Sequence, residues 1–460
     1  MEYSASNTAL WNIIVQMGII AGMILFANVL RRKLPFVKKS LMPTAVLAGF
    51  ILLLLRNVGI LNIETGFLEM LTYHGIALGF IALSLRVPQT EKENFAGILI
   101  GPKSGALIVS TYLVQALIGL VISISLSYTI MPNFFKASGI LLAMGYGQGP
   151  GQANNVGSIY EGLGFIGGRS YALSIAASGY LCACIVGVIY INILSRKGKL
   201  NKIAHDDISG SITVDTFQDK DEIPVSESMD KLSVQVALIL LVYLVTYLAI
   251  RGITSLTDTY APGISSTISP LLWGFNFIVG SMFAILFRTM FRRLRKIKVI
   301  TRQYQNNYLL SRISGLAFDL MIVAGISSID IADVSGLWLP FIITSVVGAI
   351  VTYVYLEWIC KWLYPTYYHE GFTSMFGMLT GTISSGVLLL REIDPDFETP
   401  AANNLLTGSS FGIFFGAPML ILIGLAPRST ALTFITLGLC AVYLVILTLF
   451  MLKVNPRRKS

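Results

Sequence analysis

Charge is scarce in this sequence. Asp, Glu, Lys and Arg together supply 12% of the 460 residues, about half the ~25% usual for soluble domains. Histidine is scarcer still: His74, His205 and His369 are the only three. None stands in an H-E-x-x-H arrangement, so a zinc hydrolase of that kind is excluded. The four cysteines, Cys182, Cys184, Cys360 and Cys440, all fall in apolar stretches. Cys182-x-Cys184 lacks the spacing of a zinc or redox pair, and all four read as small buried apolar residues. The glycines Gly147, Gly149 and Gly151 superficially suggest a nucleotide loop. No strand–turn–helix unit surrounds them and no P-loop lysine follows. The reading is therefore of a protein that is not an enzyme and needs no organic cofactor or structural metal.

Apolar residues, in contrast, make up 54% of the chain, and the mean hydropathy is +0.73. Spans near bilayer length recur from end to end: 9–30, 42–55, 67–87, 104–130, 171–194, 232–250, 270–287, 309–329, 337–363, 405–425 and 431–452. That is about eleven, so the chain reads as a polytopic all-α membrane protein. The start does not read as a cleavable signal, because residues 1–8 carry no basic n-region. The net charge of +9 lies in clusters beside the spans, at Arg31–Lys39, Arg196–Lys202, Arg288–Lys298 and the C-terminal tail. Basic clusters in such places set orientation and do not point to nucleic acid. With all four inside, the N-terminus is outside and the 196–231 segment and C-terminus are cytoplasmic. The expected location is the plasma (inner) membrane. Trp358, Trp362, Tyr364, Tyr367 and Tyr368 read as an interfacial belt.

Two stretches interrupt this pattern. The first is Gly145-Tyr146-Gly147-Gln148-Gly149-Pro150-Gly151-Gln152-Ala153-Asn154-Asn155, with an apolar lead-in at 137–144 and a polar exit to Gly168. The second is Gly377-Met378-Leu379-Thr380-Gly381-Thr382-Ile383-Ser384-Ser385-Gly386. Glycine and proline interrupt the helical hydrogen-bond ladder and free N–H and C=O groups. In hydrocarbon each unpaired group costs several kcal/mol, so such stretches must line a cavity or be buried in protein. Paired breaks, one per half, mark a transporter's substrate site. A helix N-terminus there presents free N–H groups to an anion. The candidate substrate-binding residues are Gly147, Gln148, Gly149, Gly151, Gln152, Asn154 and Asn155, with Thr380, Gly381, Thr382, Ser384 and Ser385. Freed carbonyls and hydroxyls suit a hard cation, and Asp319, Ser384 and Asn155 are the candidate sodium ligands.

His74 and Asp319 lie deepest in their spans. A charge there costs roughly 2.5–3.5 kcal/mol on insertion scales and needs a partner or a water path. Asp319 either binds a cation or proton, or pairs with Arg312 or a nearby hydroxyl. His74 either titrates or is a neutral hydrogen-bonded histidine. Glu357 and Lys361 stand one turn apart and should pair.

The halves repeat a plan: 1–200 is a first membrane repeat, 201–231 a polar linker, 232–428 a second repeat and 429–460 an extra helix with a basic tail. A proline opens the second span of each half, and Gly49-Phe50 matches Gly274-Phe275. The fold class expected is two inverted-topology repeats, each of about five transmembrane helices plus one re-entrant or broken element, with one extra C-terminal helix.

At the breaks the sequence resembles the glutamate:sodium symporter family. Gln148-Gly149-Pro150-Gly151-Gln152-Ala153 looks similar to that family's Gly-Gly-His-Gly-Thr-Ala loop. The stretch Met375–Gly386, running on to Asp394–Pro400, looks like that of divergent members. The resemblance implies inverted repeats with re-entrant loops, Na⁺ as the coupling ion, a homodimer and an elevator-type movement. Pro150, Gln152 and Gln148 depart from the family loop where substrate should touch, so glutamate itself does not carry over. The expected function is sodium-coupled symport of a small anionic or zwitterionic, carboxylate-bearing solute, a glutamate-like amino acid or an organic acid. The alternatives are a proton-coupled transporter or exchanger using Asp319 or His74, and a non-transporting membrane sensor or scaffold.

Overall fold

The computed structural model describes residues 8–87, 95–197, 225–261, 265, 269–270, 272–300, 304–394 and 399–453. Among them there is no strand. The helices are α1 (Thr8–Lys33), α2 (Pro35–Lys39), α3 (Thr44–Asn57), α4 (Thr65–Leu85), α5 (Phe95–Tyr128), α6 (Pro150–Gly162) and α7 (Gly168–Arg196). They continue with α8 (Val225–Tyr260), α9 (Asn276–Lys296), α10 (Asn307–Ser327), α11 (Trp338–Leu363) and α12 (Tyr368–Thr380). The last are α13 (Ile383–Arg391), α14 (Ala401–Leu425) and α15 (Thr430–Lys453). Nine described helices are long and apolar enough to cross a membrane, and Thr44–Asn57 is a shorter apolar one. The protein is an all-helical membrane protein.

Local sequence accounts for several boundaries. Asn306 caps α10 by accepting from the Leu309 amide at 2.9 Å, the usual role of asparagine at an N-cap. Pro43 stands at the N-cap of α3, just outside the helix that it was expected to open. Pro270 likewise does not open α9, which starts at Asn276 after a turn at Phe275. Helix α9 carries the basic cluster through Lys296 inside the helix. Helix α5 starts well before Ser104 and runs through Pro102, which stands two turns into the helix and forfeits one bond of the ladder. Helix α8 begins at Val225, so the polar linker is shorter than its composition suggests. The rest of that linker, like the acidic loop around Glu91 and Glu93 and the tail from Val454, lies outside the described residues.

The apolar residues are distributed as a bilayer requires. The outer helices present large side chains outward, with Leu25 66%, Leu244 53% and Val442 58% exposed. A contiguous apolar surface of this kind is suited to lipid. The interior is built on α5, α7 and the two interrupted elements, where Leu107, Leu142, Tyr146, Ala176 and Phe376 are buried. All four cysteines are buried and free, as expected. Glu357 and Lys361 pair at 2.7 Å, also as expected. The aromatic belt is only part of a belt: Trp358 and Trp362 are exposed, but Tyr364 is fully buried with its hydroxyl 2.8 Å from that of Ser104. Membrane depth alone does not expose a tyrosine; a buried partner for the hydroxyl draws it inward.

Buried hydroxyls in the spans mostly satisfy themselves by donating to a carbonyl one turn back. Thr72 does so to Leu68, Thr111 to Leu107 and Thr246 to Val242, each at 2.8 Å.

Helices α4 and α10 pack antiparallel. Gly75 lies on Met321, Gly79 on Phe318, and Ser314 donates to the Gly79 carbonyl at 2.9 Å. Each takes a helix of the other half on its flank. Gly49 of α3 packs on Ile326 of α10, and Gly280 of α9 packs on Ile81 of α4. Further along, Arg56 donates to the Ser327 carbonyl at 2.9 Å, and Arg288 to the carbonyls of Ser84 (3.1 Å) and Arg86 (2.9 Å). The contact made by Gly49 is thus matched by Gly280 and not by Gly274. Gly274 instead abuts Ile159 and offers its carbonyl to Asn155.

Candidate functional site

Both glycine-rich stretches are interrupted helices. The first runs from Lys136 as a 3-10 turn and a π-turn to Gly147, breaks at Gln148 and Gly149, and resumes as α6. Gly149 has φ +81°, a left-handed conformation open to glycine at little cost, and Pro150 follows in the first helical position, where its missing N–H is harmless. The polar exit expected after Gln148 is therefore a buried helix. Its glycines and amides read as loop by propensity, but burial against α7 overrides propensity. The second element is α12, a break at Gly381 and Thr382, and α13.

Each is a hairpin. In the first, residues 136–147 run back along α5. Gly119 faces the Gly139 carbonyl with no room for a Cβ, so the two backbones touch. Ser123 donates to the Lys136 carbonyl at 2.6 Å. The far end of α6 returns to the start, where Phe135 stacks on Phe165 at 5.1 Å and meets Tyr160 at 5.5 Å. In the second, α13 folds back on α12, with Gly386 against the Ser374 carbonyl and Gly377 against Gly386. This hairpin begins beside Ser104 through Tyr364, near the other end of α5. The two enter from opposite ends of α5 and meet at its middle.

Gln115 marks that meeting. Its Nε2 donates to the Leu379 carbonyl at 2.9 Å and to Thr352 Oγ1 at 3.1 Å. Gly147 packs on the same side chain and on Tyr112. On the other side α7 supports both tips: Gly145 packs on Ala176, and Gly179 on the Thr380 carbonyl. The tips touch directly, since a Cβ on Gly149 would lie 3.4 Å from Thr382 Cγ2 and 3.5 Å from the Gly381 oxygen.

A cavity of about 100 Å³ opens at this junction. Of the sequence-predicted residues, Gly147, Gln148 and Gln152 line it from the first break, and Gly381, Thr382 and Ser384 from the second. The others have different places. Gly149 makes the turn, and Gly151 packs on Ile76 and Met321. Asn154 reaches only Asn155, at 3.5 Å, and Asn155 donates to the Gly274 carbonyl at 2.7 Å. Thr380 donates to the Phe376 carbonyl at 2.7 Å. Ser385 is buried, and its hydroxyl has no partner. Of the candidate sodium ligands only Ser384 lines the cavity. Asp319 lies between Phe318 and the lining residue Met321 on α10, level with Gly75 and Gly79.

Asp319 makes no hydrogen bond or ion pair with a described residue, so of the two alternatives the pairing with Arg312 or a nearby hydroxyl does not hold among the described residues. Arg312 donates instead to the Tyr308 hydroxyl at 2.8 Å. His74 is hydrogen-bonded, its Nδ1 2.6 Å from the Tyr243 hydroxyl, which also receives Asn276 Nδ2 at 3.0 Å. It faces α8, away from the cavity. Among the described residues, no group of three or more His, Cys, Asp or Glu could hold a metal ion.

Of the polar side chains in the lining, Ser409 is satisfied by the Leu405 carbonyl at 2.6 Å. Gln152 is 1% exposed, and neither of its amide atoms has a partner among the described residues. A buried polar group left unpaired costs about 1–3 kcal/mol, so a paired one is the rule. Helices α6 and α13 both begin at the junction with no side-chain cap, which leaves first-turn amides directed at the break. No family model matches the chain, and no curated protein does.

Sequence reasoning missed Gln115 and Tyr112, which carry both tips, and the phenylalanines Phe80, Phe275, Phe277 and Phe318 in the wall. Gln115 had a signal, as a lone amide inside a long apolar span. The phenylalanines had none, since Phe80 comes from α4, Phe275 and Phe277 from the start of α9, and Phe318 from α10. An intramembrane serine protease is set aside from the sequence for want of a G-x-S-x-G motif, but Gly408-Ser409-Ser410-Phe411-Gly412 does fit that pattern. It lies inside the continuous helix α14, whereas a nucleophile elbow needs a sharp strand-to-helix turn.

Proposed function

We propose that the protein is a secondary active transporter that carries a small carboxylate-bearing solute by sodium-coupled symport. The observation that supports this is the junction itself: two uncapped helix starts meet at one cavity with the unpartnered Gln152 between them. Such a site offers N–H dipoles in place of water to a desolvated carboxylate. In this reading the two hairpins are re-entrant elements of inverted repeats in the glutamate:sodium symporter manner. The reciprocal packing of α3 on α10 and α9 on α4, with Arg56 and Arg288 at matching places, supports that symmetry. The substrate-contacting unit moves elevator-fashion within a homodimer of the inner membrane. Ser384 and freed carbonyls at the second break supply sodium ligands, with Asp319 and Asn155 completing the candidates.

Coupling to protons is the second reading, favoured by Asp319, a carboxylate in a span with no hydrogen-bonding partner among the described residues. The test is uptake of labelled amino and organic acids into proteoliposomes. Symport with sodium predicts saturable uptake that collapses when K⁺ replaces Na⁺. Uptake driven by a pH gradient without Na⁺, and lost in Asp319→Asn, moves the coupling to protons. A solute that binds the purified protein yet crosses under neither gradient overturns transport.

A further inference from the structure

The cavity is lined by two chemically different groups of residues. One is Gln152, Thr382 and Ser384, beside the starts of α6 and α13. The other is a wall of aromatic and aliphatic side chains, with Phe80 5.0 Å from Phe277 and 5.4 Å from Phe318, and Phe275 6.3 Å from Phe277. No Lys, Arg, His, Asp or Glu is among the residues that line the cavity.

We infer that the solute is an amphipathic monocarboxylate, a single carboxylate on an apolar body, anionic or zwitterionic, and not a dicarboxylate or an acidic amino acid. This rests on the transport reading for its biological setting but on the cavity for its chemistry. A helix N-terminus is equivalent to about +0.5 elementary charge, so two of them supply about one unit of positive charge. That neutralises one carboxylate, with Gln152 Nε2 as an additional donor that nothing in the protein occupies. A second carboxylate would lie against phenylalanine rings with no Lys, Arg or His side chain in the lining to meet it, and an unpaired buried charge is strongly disfavoured. An apolar body gains from the same wall by burial. An α-amino group, when present, is balanced by the solute's own carboxylate and meets the carbonyl and hydroxyl oxygens of the second break, so no acidic side chain is needed in the lining.

The experiment uses the full-length protein purified in detergent with NaCl, followed by thermal unfolding with one probe at a time. The probes are 4-methylpentanoate, leucine, 4-methylpentanamide, glutarate and glutamate. A ligand that binds the folded state raises the unfolding temperature. The expected result is stabilisation by 4-methylpentanoate, by leucine or by both, at least tenfold tighter than by glutarate, glutamate or the uncharged amide. Equal or tighter binding of glutarate or glutamate overturns the inference, as does stabilisation by none of the five. Gln152→Leu gives the second readout. It should raise the unfolding temperature of the ligand-free protein, because two unpaired amide atoms are removed, while weakening the bound monocarboxylate at least tenfold. A ligand-free protein that is less stable with unchanged affinity would show Gln152 to be a packing residue and would overturn its assignment. The two readings fail separately: a monocarboxylate that binds but never crosses proteoliposomes removes transport alone, and flux confined to dicarboxylates removes this inference alone.

Discussion

Replacing Gln115 by leucine tests the junction without knowledge of the solute. The side chain is buried at the middle of α5, and its Nε2 donates to the Leu379 carbonyl at 2.9 Å and to Thr352 at 3.1 Å. Leucine fills a similar space but leaves the Leu379 carbonyl, at the tip of the second hairpin, without that donor. A lost neutral hydrogen bond is worth about 1 kcal/mol net, and an orphaned buried acceptor costs about 1–3 kcal/mol. Relief of Gln115 Oε1, which itself has no partner, offsets part of this. The expected loss is about 2 kcal/mol, localised at the tip. Local opening sets the rate of amide hydrogen exchange, and each 1.36 kcal/mol is a factor of ten. Exchange at residues 377–386 should therefore rise about 30-fold, while α1 and α15 keep their wild-type rates. Unchanged exchange at the tip would refute the role given to Gln115. A uniform rise over the whole protein would refute its localisation.

Arg56→Met and Arg288→Met should each lower the detergent unfolding temperature by a similar amount, corresponding to about 1–3 kcal/mol, since each strips a donor from the end of a neighbouring helix. A large effect in one and none in the other would break the correspondence between the halves. Gly149→Ala should cost about 1–3 kcal/mol from the positive φ alone, because its Cβ would meet Thr382 only at 3.4 Å. A tip displaced by about 1 Å can cost 10²-fold in a positioned site, so solute uptake should fall by about that factor. Gly438→Ala, with nothing near its Cβ, is the control, and equal uptake by the two variants would count against the turn.

How much of this was legible in the sequence depends on what carries each feature. The two breaks were legible because glycine and proline interrupt an apolar run, and backbone rules act locally. The Glu357–Lys361 pair and the buried cysteines follow from spacing and composition in the same way. Helix α6 was not legible, because Gly151, Asn154, Asn155 and Gly157 have poor helix propensity, and only their burial against α7 and α4 holds the helix. Asn155 and Thr380 looked like free site donors, yet each is satisfied by a carbonyl that the sequence does not reveal. The match of Gly49 with Gly280 was hidden for a related reason: what the halves share is a contact, and its neighbours in sequence differ. The apolar wall is the extreme case, since Phe80, Phe275 and Phe318 converge only through tertiary packing.

The mutual support of the hairpin tips has a consequence for how the chain can arise and be handled. Leu379, from the second half, finds its donor on Gln115 of the first, and Gly149 rests against Thr382 across the same seam. A half-length chain would carry a tip whose carbonyls and amides confront nothing, within a membrane that offers no substitute for them. Neither half is thus a folding unit in its own right, and expression of the two halves as separate chains should succeed only when both are present to close this seam.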